Sequence, residues 1–165
     1  MTPNTDNDAQ FLQQAMRLSE LAISNPAKGP FGAILVHRDE VVGQGTNSVI
    51  ELSDPSAHAE VMALRDAGSR LRQHRFEGAV LYASSEPCPM CLTACYWAGV
   101  SRIVFGATTA DVATYGFEDL RLYGELREPA ERRSVREDNG GEPLRYQATA
   151  ILRAWAAQSE PADPG

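Results

Sequence analysis

The 165-residue chain is short of cysteine, of positive charge and of long apolar runs, and each shortage narrows what it can be. Its longer apolar runs, such as Gly32–Val36, fall far below the roughly 20 residues that cross a bilayer, so no membrane partner is expected. The opening "MTPNTDNDAQ" is polar and acidic, with no basic segment and no apolar one behind it. It does not read as a signal peptide, and a cytoplasmic location is the default expectation. The 15 Lys and Arg are outnumbered by 22 Asp and Glu, leaving a formal net charge of −7. Proteins that hold nucleic acid by neutralising phosphates need a basic face, and this overall field works against such a partner.

The 3 cysteines, Cys88, Cys91 and Cys95, all fall within eight residues. An odd, tightly spaced set makes a poor disulfide framework. Without a secretory signal, a close Cys-x-x-Cys more often binds metal or does redox work.

What remains is ordinary globular material, 43% apolar and 22% charged. A chain of this length can bury a sizeable core without covalent staples. No repeat, low-complexity block or long linker divides it. One domain over 1–158 is expected, followed by an acidic, Pro-rich tail over 159–165.

Residues 8–24 place Phe11, Leu12, Ala15, Met16, Leu18 and Ala22 at helical spacing, and Asn25-Pro26 with Gly29-Pro30 ends that helix. "FGAILVHRDEVVGQGTN" reads as a hairpin, with strands at 31–37 and 41–44. A polar loop leads to a helix over about 57–70. A short strand follows at 79–83, then a helix from the Pro87–Pro89 region to about Ala98, then a strand at 102–107. Residues 108–125 read as a Gly-containing loop and "DNGGEP" as a turn, before a last helix over 144–158. Strands alternating with helices point to a mixed sheet covered by helices.

The chemistry concentrates in "SAHAEVMALR" and "SSEPCPMCLTACYWAG". His58, Cys88 and Cys91 can offer one imidazole nitrogen and two thiolates. Three protein ligands with one position open is the arrangement of a catalytic zinc site, and thiolates favour Zn²⁺ over magnesium or calcium. Cys88 and Cys91 straddle a helix start, where the helix dipole favours the anionic sulfur. Cys95 lies one turn, about 5–6 Å, further along and reads as a small buried core residue. Zinc acidifies water to a pKa near 7. A carboxylate beside that water can carry its proton to a substrate nitrogen, and Glu60, two residues after His58, suits that work better than ligation. A lone Cys-x-x-Cys is a weak signal, shared with redox motifs and structural zinc knuckles. His-x-Glu followed by Pro-Cys-x-x-Cys is the signature of the zinc deaminases.

With "HAEVMAL" and "EPCPMC" the chain resembles the cytidine-deaminase superfamily of zinc nucleobase and nucleoside deaminases. Through "GPFGAILV", "DPSAHAEV" and "YGFEDLRLYGELREPAERR" it is most similar to that superfamily's bacterial guanine deaminase subgroup. The tRNA adenosine deaminases share the zinc motifs but lack the last segment. The resemblance implies a three-layer α/β/α fold with a mixed five-stranded sheet. It also implies a homodimer, one Zn²⁺ per subunit on His58, Cys88 and Cys91, and Glu60 as proton shuttle. Asn47, Phe31, Trp97, Asp119 and Ala59 match substrate-contact positions. By residue type alone, Asn47 equally suits a turn, Phe31 and Trp97 a core, and Asp119 a solvated loop. In that subgroup the C-terminal segment swaps between subunits and brings an aromatic near the partner's pocket. Here "SEPADPG" has none, leaving Trp155 either to serve instead or to pack its own helix.

The expected reaction is guanine plus water to xanthine plus ammonia. The alternatives are a related amino-heterocycle or nucleoside (ammeline, cytosine, guanosine), adenosine in tRNA, or a zinc-stabilised module without activity.

Overall fold

The computed structural model describes residues 5–158. The chain divides into two compact units, Met1–Tyr123 and Gly124–Gly165. The tail expected over 159–165 lies outside the described residues.

The first unit opens with α1 (Thr5–Ile23) and the hairpin β1 (Gly32–His37) and β2 (Glu40–Thr46). One short helix, α2 (Val49–Leu52), sits in the expected polar loop ahead of α3 (Ala59–Leu71). Then come β3 (Val80–Ser85), α4 (Pro89–Trp97), β4 (Arg102–Ala107) and α5 (Thr109–Ala113). The helix α6 (Asp119–Arg127) runs across the division, and α7 (Glu142–Ala156) belongs to the second unit.

Strand order in the sheet is β2-β1-β3-β4. β1 pairs antiparallel with β2 and β3, while β3 and β4 are parallel. A parallel pair needs a crossover, and α4 supplies it. The hairpin turns through Arg38 and Asp39, both at positive φ (52° and 63°), the geometry that matches a two-residue turn to strand twist.

Side chains alternate across a strand, and β1 and β3 use both faces. Ala33, Leu35, Leu81 and Ala83 pack with Ala59, Ala63 and Ala67 of α3 and with Cys95 and Ala98. Ile34, Val36 and Tyr82 pack on the other face against Phe11 and Ala15 of α1. Burying a leucine such as Leu35 or Leu81 stabilises the fold by about 2 kcal/mol. Two glycines of β2 let α3 lie close: a Cβ on Gly45 would fall onto the Ala59 carbonyl oxygen, and one on Gly43 onto that of Ala63. The Ala-rich inner face of α3 and these bare strand positions set the helix start against the sheet edge.

The expected layered α/β fold is present, with one correction. The sheet has four strands among the described residues, not five. After Ala107 the chain turns helical, and 128–141 carries Pro129, Gly140, Gly141 and a run of charges with no apolar alternation to form a strand. The segment read as a loop holds α5 and the start of α6. A capping box begins α5: Asp111 N–H donates to Thr108 Oγ1 (3.1 Å) and Thr108 N–H to Asp111 Oδ2 (2.8 Å). In the second unit, α7 leaves Leu144, Ile151, Leu152 and Trp155 exposed. No helix among the described residues is long and apolar enough to cross a membrane.

Candidate metal and catalytic site

Two helix starts build the site. His58 is the N-cap of α3 and Cys88 the N-cap of α4, both extended (φ −69°, ψ 157° and φ −65°, ψ 168°). Their carbonyls accept the first helical hydrogen bonds, from Met62 N–H and Leu92 N–H, each 2.9 Å. Pro89 at the first helical position of α4 loses no bond, because that N–H has no helical partner. The positive ends of both helix dipoles therefore meet at the site, favouring anions there.

Cys88 Sγ lies 3.6 Å from His58 Nδ1 and 3.6 Å from Cys91 Sγ. All three ligand atoms fall within 4.8 Å of one another. Zinc bonds of about 2.3 Å to sulfur and about 2.0–2.1 Å to nitrogen at tetrahedral angles put two sulfurs about 3.8 Å apart, and sulfur and nitrogen about 3.6 Å apart. The observed spacings fit Zn²⁺. Cys88 and Cys91 are buried and undisulfided, so both sulfurs are available as ligands. The sulfurs sit close enough to share one proton, and this contact, helped by His58, holds the Cys88 thiol far below its ordinary range. Cys91 is pushed up correspondingly, by Cys88 and by burial. The Cys88 contact in turn raises the His58 imidazole against the opposing effect of burial.

Glu60, in the first turn of α3, is 6% exposed. Burial raises its carboxyl to about 7, its own backbone N–H pulls back, and the Cys88 charge pushes further up. A carboxyl titrating near neutrality can both take and return a proton. Cys95 packs in the core beside Ala98, its thiol raised to about 12 by burial, and is not among the clustered ligand atoms.

The other expected residues are distributed unevenly. Asn47 pairs by backbone with the Gly29–Phe31 segment: Gly29 N–H donates to its carbonyl (3.2 Å), and its own N–H donates to Phe31 O (3.1 Å). Its Oδ1 accepts from Val49 N–H at 3.3 Å, so it is also a turn residue. Phe31 meets Phe117 edge to face, with ring centroids 4.7 Å apart. Asp119, at the start of α6, is half-buried; burial raises its carboxyl, as does the charge of Cys88, while His58 lowers it. It therefore stands within electrostatic reach of the metal ligands. Ala59 is fully buried between His58 and Glu60. Trp97, at the end of α4, is 62% exposed, whereas Phe31 is half-buried.

Sequence reasoning did not single out Phe117 or Tyr123. Tyr123 OH donates to Pro87 O at 2.7 Å, on the turn that carries Cys88. Because 108–125 read as a loop, no helical spacing from Asp119 pointed to it.

The profile described as the cytidine and deoxycytidylate deaminase zinc-binding region matches residues 5–107. Guanine deaminase of Bacillus subtilis (strain 168) is 40% identical over 129 residues, 78% of this chain and 83% of that protein. A tRNA-specific adenosine deaminase of Buchnera aphidicola subsp. Schizaphis graminum is 37% identical over 108 residues, 66% of this chain and 71% of that protein. The X-ray structure of Bacillus subtilis guanine deaminase superposes with a TM-score of 0.87 at 34% identity, covering 94% of this chain and 97% of that one. With its His-x-Glu and Cys-x-x-Cys helix starts converging on three zinc-spaced ligand atoms, the chain belongs to the cytidine and deoxycytidylate deaminase zinc-binding family, and is a zinc-dependent deaminase.

Proposed function

We propose that this enzyme deaminates a free purine base, converting guanine and water to xanthine and ammonia. The observation that carries the reading is the second carboxylate, Asp119, within electrostatic reach of His58 and Cys88 on the opposite side of the sequence from Glu60. A carboxylate accepts only, which suits the ring N–H and amine donors of guanine. An acceptor that the bound base desolvates and leaves unpaired rejects a base lacking those donors far more strongly than shape does. The 40% identity to a guanine deaminase supports the same substrate.

In this reading His58, Cys88 and Cys91 hold Zn²⁺, which supplies an acidified water. Glu60 takes a proton from that water and delivers it to a ring nitrogen as the C2–O bond forms. It then takes the second proton, from the new C2 hydroxyl, and passes it to the exocyclic nitrogen as the C2 carbonyl forms, the C2–N bond breaks and ammonia leaves. Asn47 hydrogen-bonds the base, and Phe31 and Trp97 line the pocket, with the Ala59 segment beneath. Residues 1–158 act as one deaminase domain.

Three free cysteines, two of them ligands as thiolates, suit the reducing cytoplasm. The apolar stripe of α7 suits burial against a second copy in a homodimer, with that segment exchanged between subunits. Purine metabolism is the setting such an enzyme serves.

A second reading, adenosine in tRNA, is favoured by the 37% identity to tRNA-specific adenosine deaminases and opposed by the net charge of −7. Incubation with guanine should yield xanthine and ammonia in equal amounts. Ammonia release from tRNA adenosine without guanine turnover would replace the first reading by the second.

A further inference from the structure

The start of α6 meets the rest of the first unit through two contacts, with Asp119 between them. Phe117, two residues ahead of the helix, packs edge-on to Phe31. Asp119 lies within electrostatic reach of His58 and Cys88. Tyr123, one turn on, donates its hydroxyl to the Pro87 carbonyl at 2.7 Å. Residues four apart share a helix face, so Asp119 and Tyr123 point the same way.

Beyond Tyr123, Glu125 accepts from Ser134 N–H (2.8 Å) and Ser134 Oγ (3.0 Å), both within the second unit. None of its residues is buried, and Leu120 and Leu122 are 53% and 39% exposed. The chain reaches it through Tyr115, 82% exposed, and Gly116 at φ +88°. A helix that buries no side chain takes its position from its specific contacts. The Tyr123 hydrogen bond joins it to the backbone immediately before the ligand Cys88, and Cys88 opens α4. Asp119 and the metal ligands thus share one anchor, although 31 positions separate Asp119 from Cys88.

We propose that Tyr123 is a positioning residue: its hydroxyl holds α6 against the Cys88 turn, which places Asp119 at the site and thereby sets the affinity for the base. The proposal rests on Asp119 reading the substrate, as in the function proposed above. It predicts a separation of kinetic constants. The proton transfers run through Glu60 on α3, so loosening α6 weakens base binding and leaves the chemical step nearly intact.

The test is Tyr123→Phe, which removes one oxygen and keeps the ring. Kinetics are run on whichever base of a panel the parent enzyme turns over fastest. Failure of guanine to be that base removes the guanine reading and leaves this test standing. Zinc content should match the parent and the unfolding temperature should stay within about 4 °C. KM should rise about five-fold, the worth of one hydrogen bond, with kcat within about two-fold. In an Asp119→Asn background the same substitution should leave KM unchanged, since the group it positions is gone. An unchanged KM in the parent background overturns the proposal. So does an equal rise in both backgrounds, which marks a general structural effect, or loss of zinc from Tyr123→Phe. An Asp119→Asn enzyme with the parent's KM overturns it together with the substrate role of Asp119.

Discussion

His58 Nδ1 and Cys88 Sγ lie 3.6 Å apart across 30 residues of chain. Each caps its own helix, so one short contact fixes how α3 and α4 meet. The ligand set follows from that junction and not from either motif alone.

Removing a ligand should therefore cost both metal and stability. His58→Ala and Cys91→Ser should each lose most bound zinc by elemental analysis and melt well below the parent, because metal binding to a folded site is also folding free energy. Full zinc occupancy in either variant would mean the ligands are misassigned.

Glu60→Gln should keep one zinc per chain and lose activity by about 10²–10⁴-fold, the usual worth of a positioned proton carrier. The amide matches the carboxyl in shape, so melting should change little. Near-parental turnover would remove Glu60 from the proton path.

Cys95→Ala separates the buried thiol from the two ligands. It should retain full zinc and activity and lose about 1 kcal/mol from the cavity it leaves in the core. A drop in zinc stoichiometry would make Cys95 a ligand.

Asp8 ties α1 to the sheet, accepting from Tyr82 OH (2.7 Å) and from both terminal nitrogens of Arg102, one at 3.0 Å. The Arg102 hydrogen bond is the main cause holding the Asp8 carboxyl below its ordinary value, against burial. A depressed carboxyl contributes stability that is fully present above its unfolded pKa of about 3.9 and is lost as pH falls through the lower folded value. Asp8→Asn should cost about 1 kcal/mol at pH 7, solvent screening included, and should flatten the acid limb of the stability curve below about pH 5. Parallel acid limbs for the two proteins, measured by denaturant melts at several pH values, would assign that limb to other groups.

The zinc ligands were legible in the sequence because ligand chemistry restricts residue type and spacing together. Few other arrangements put His-x-Glu and Pro-Cys-x-x-Cys in one chain. The hairpin and β3 were legible because strands buried on both faces read as unbroken apolar runs such as "GAILV". Both α5 and α6 were hidden. They are short and bury almost nothing, so neither shows a helical apolar stripe, and only the Thr108–Asp111 capping box marked one of them. The fifth strand was expected from resemblance alone, and residues 128–141 lack the pattern to form it. Trp97 was matched by position, yet exposure depends on what covers the end of α4, which local sequence does not encode.

The substrate assignment is tested most directly by kcat/KM for ammonia release from guanine, guanosine, cytosine, adenine and ammeline at fixed enzyme concentration. Guanine should exceed every other compound by about ten-fold or more, as expected when an acceptor desolvated by the bound base reads donors that the others lack or present differently. Any other compound exceeding guanine by about ten-fold would contradict the account.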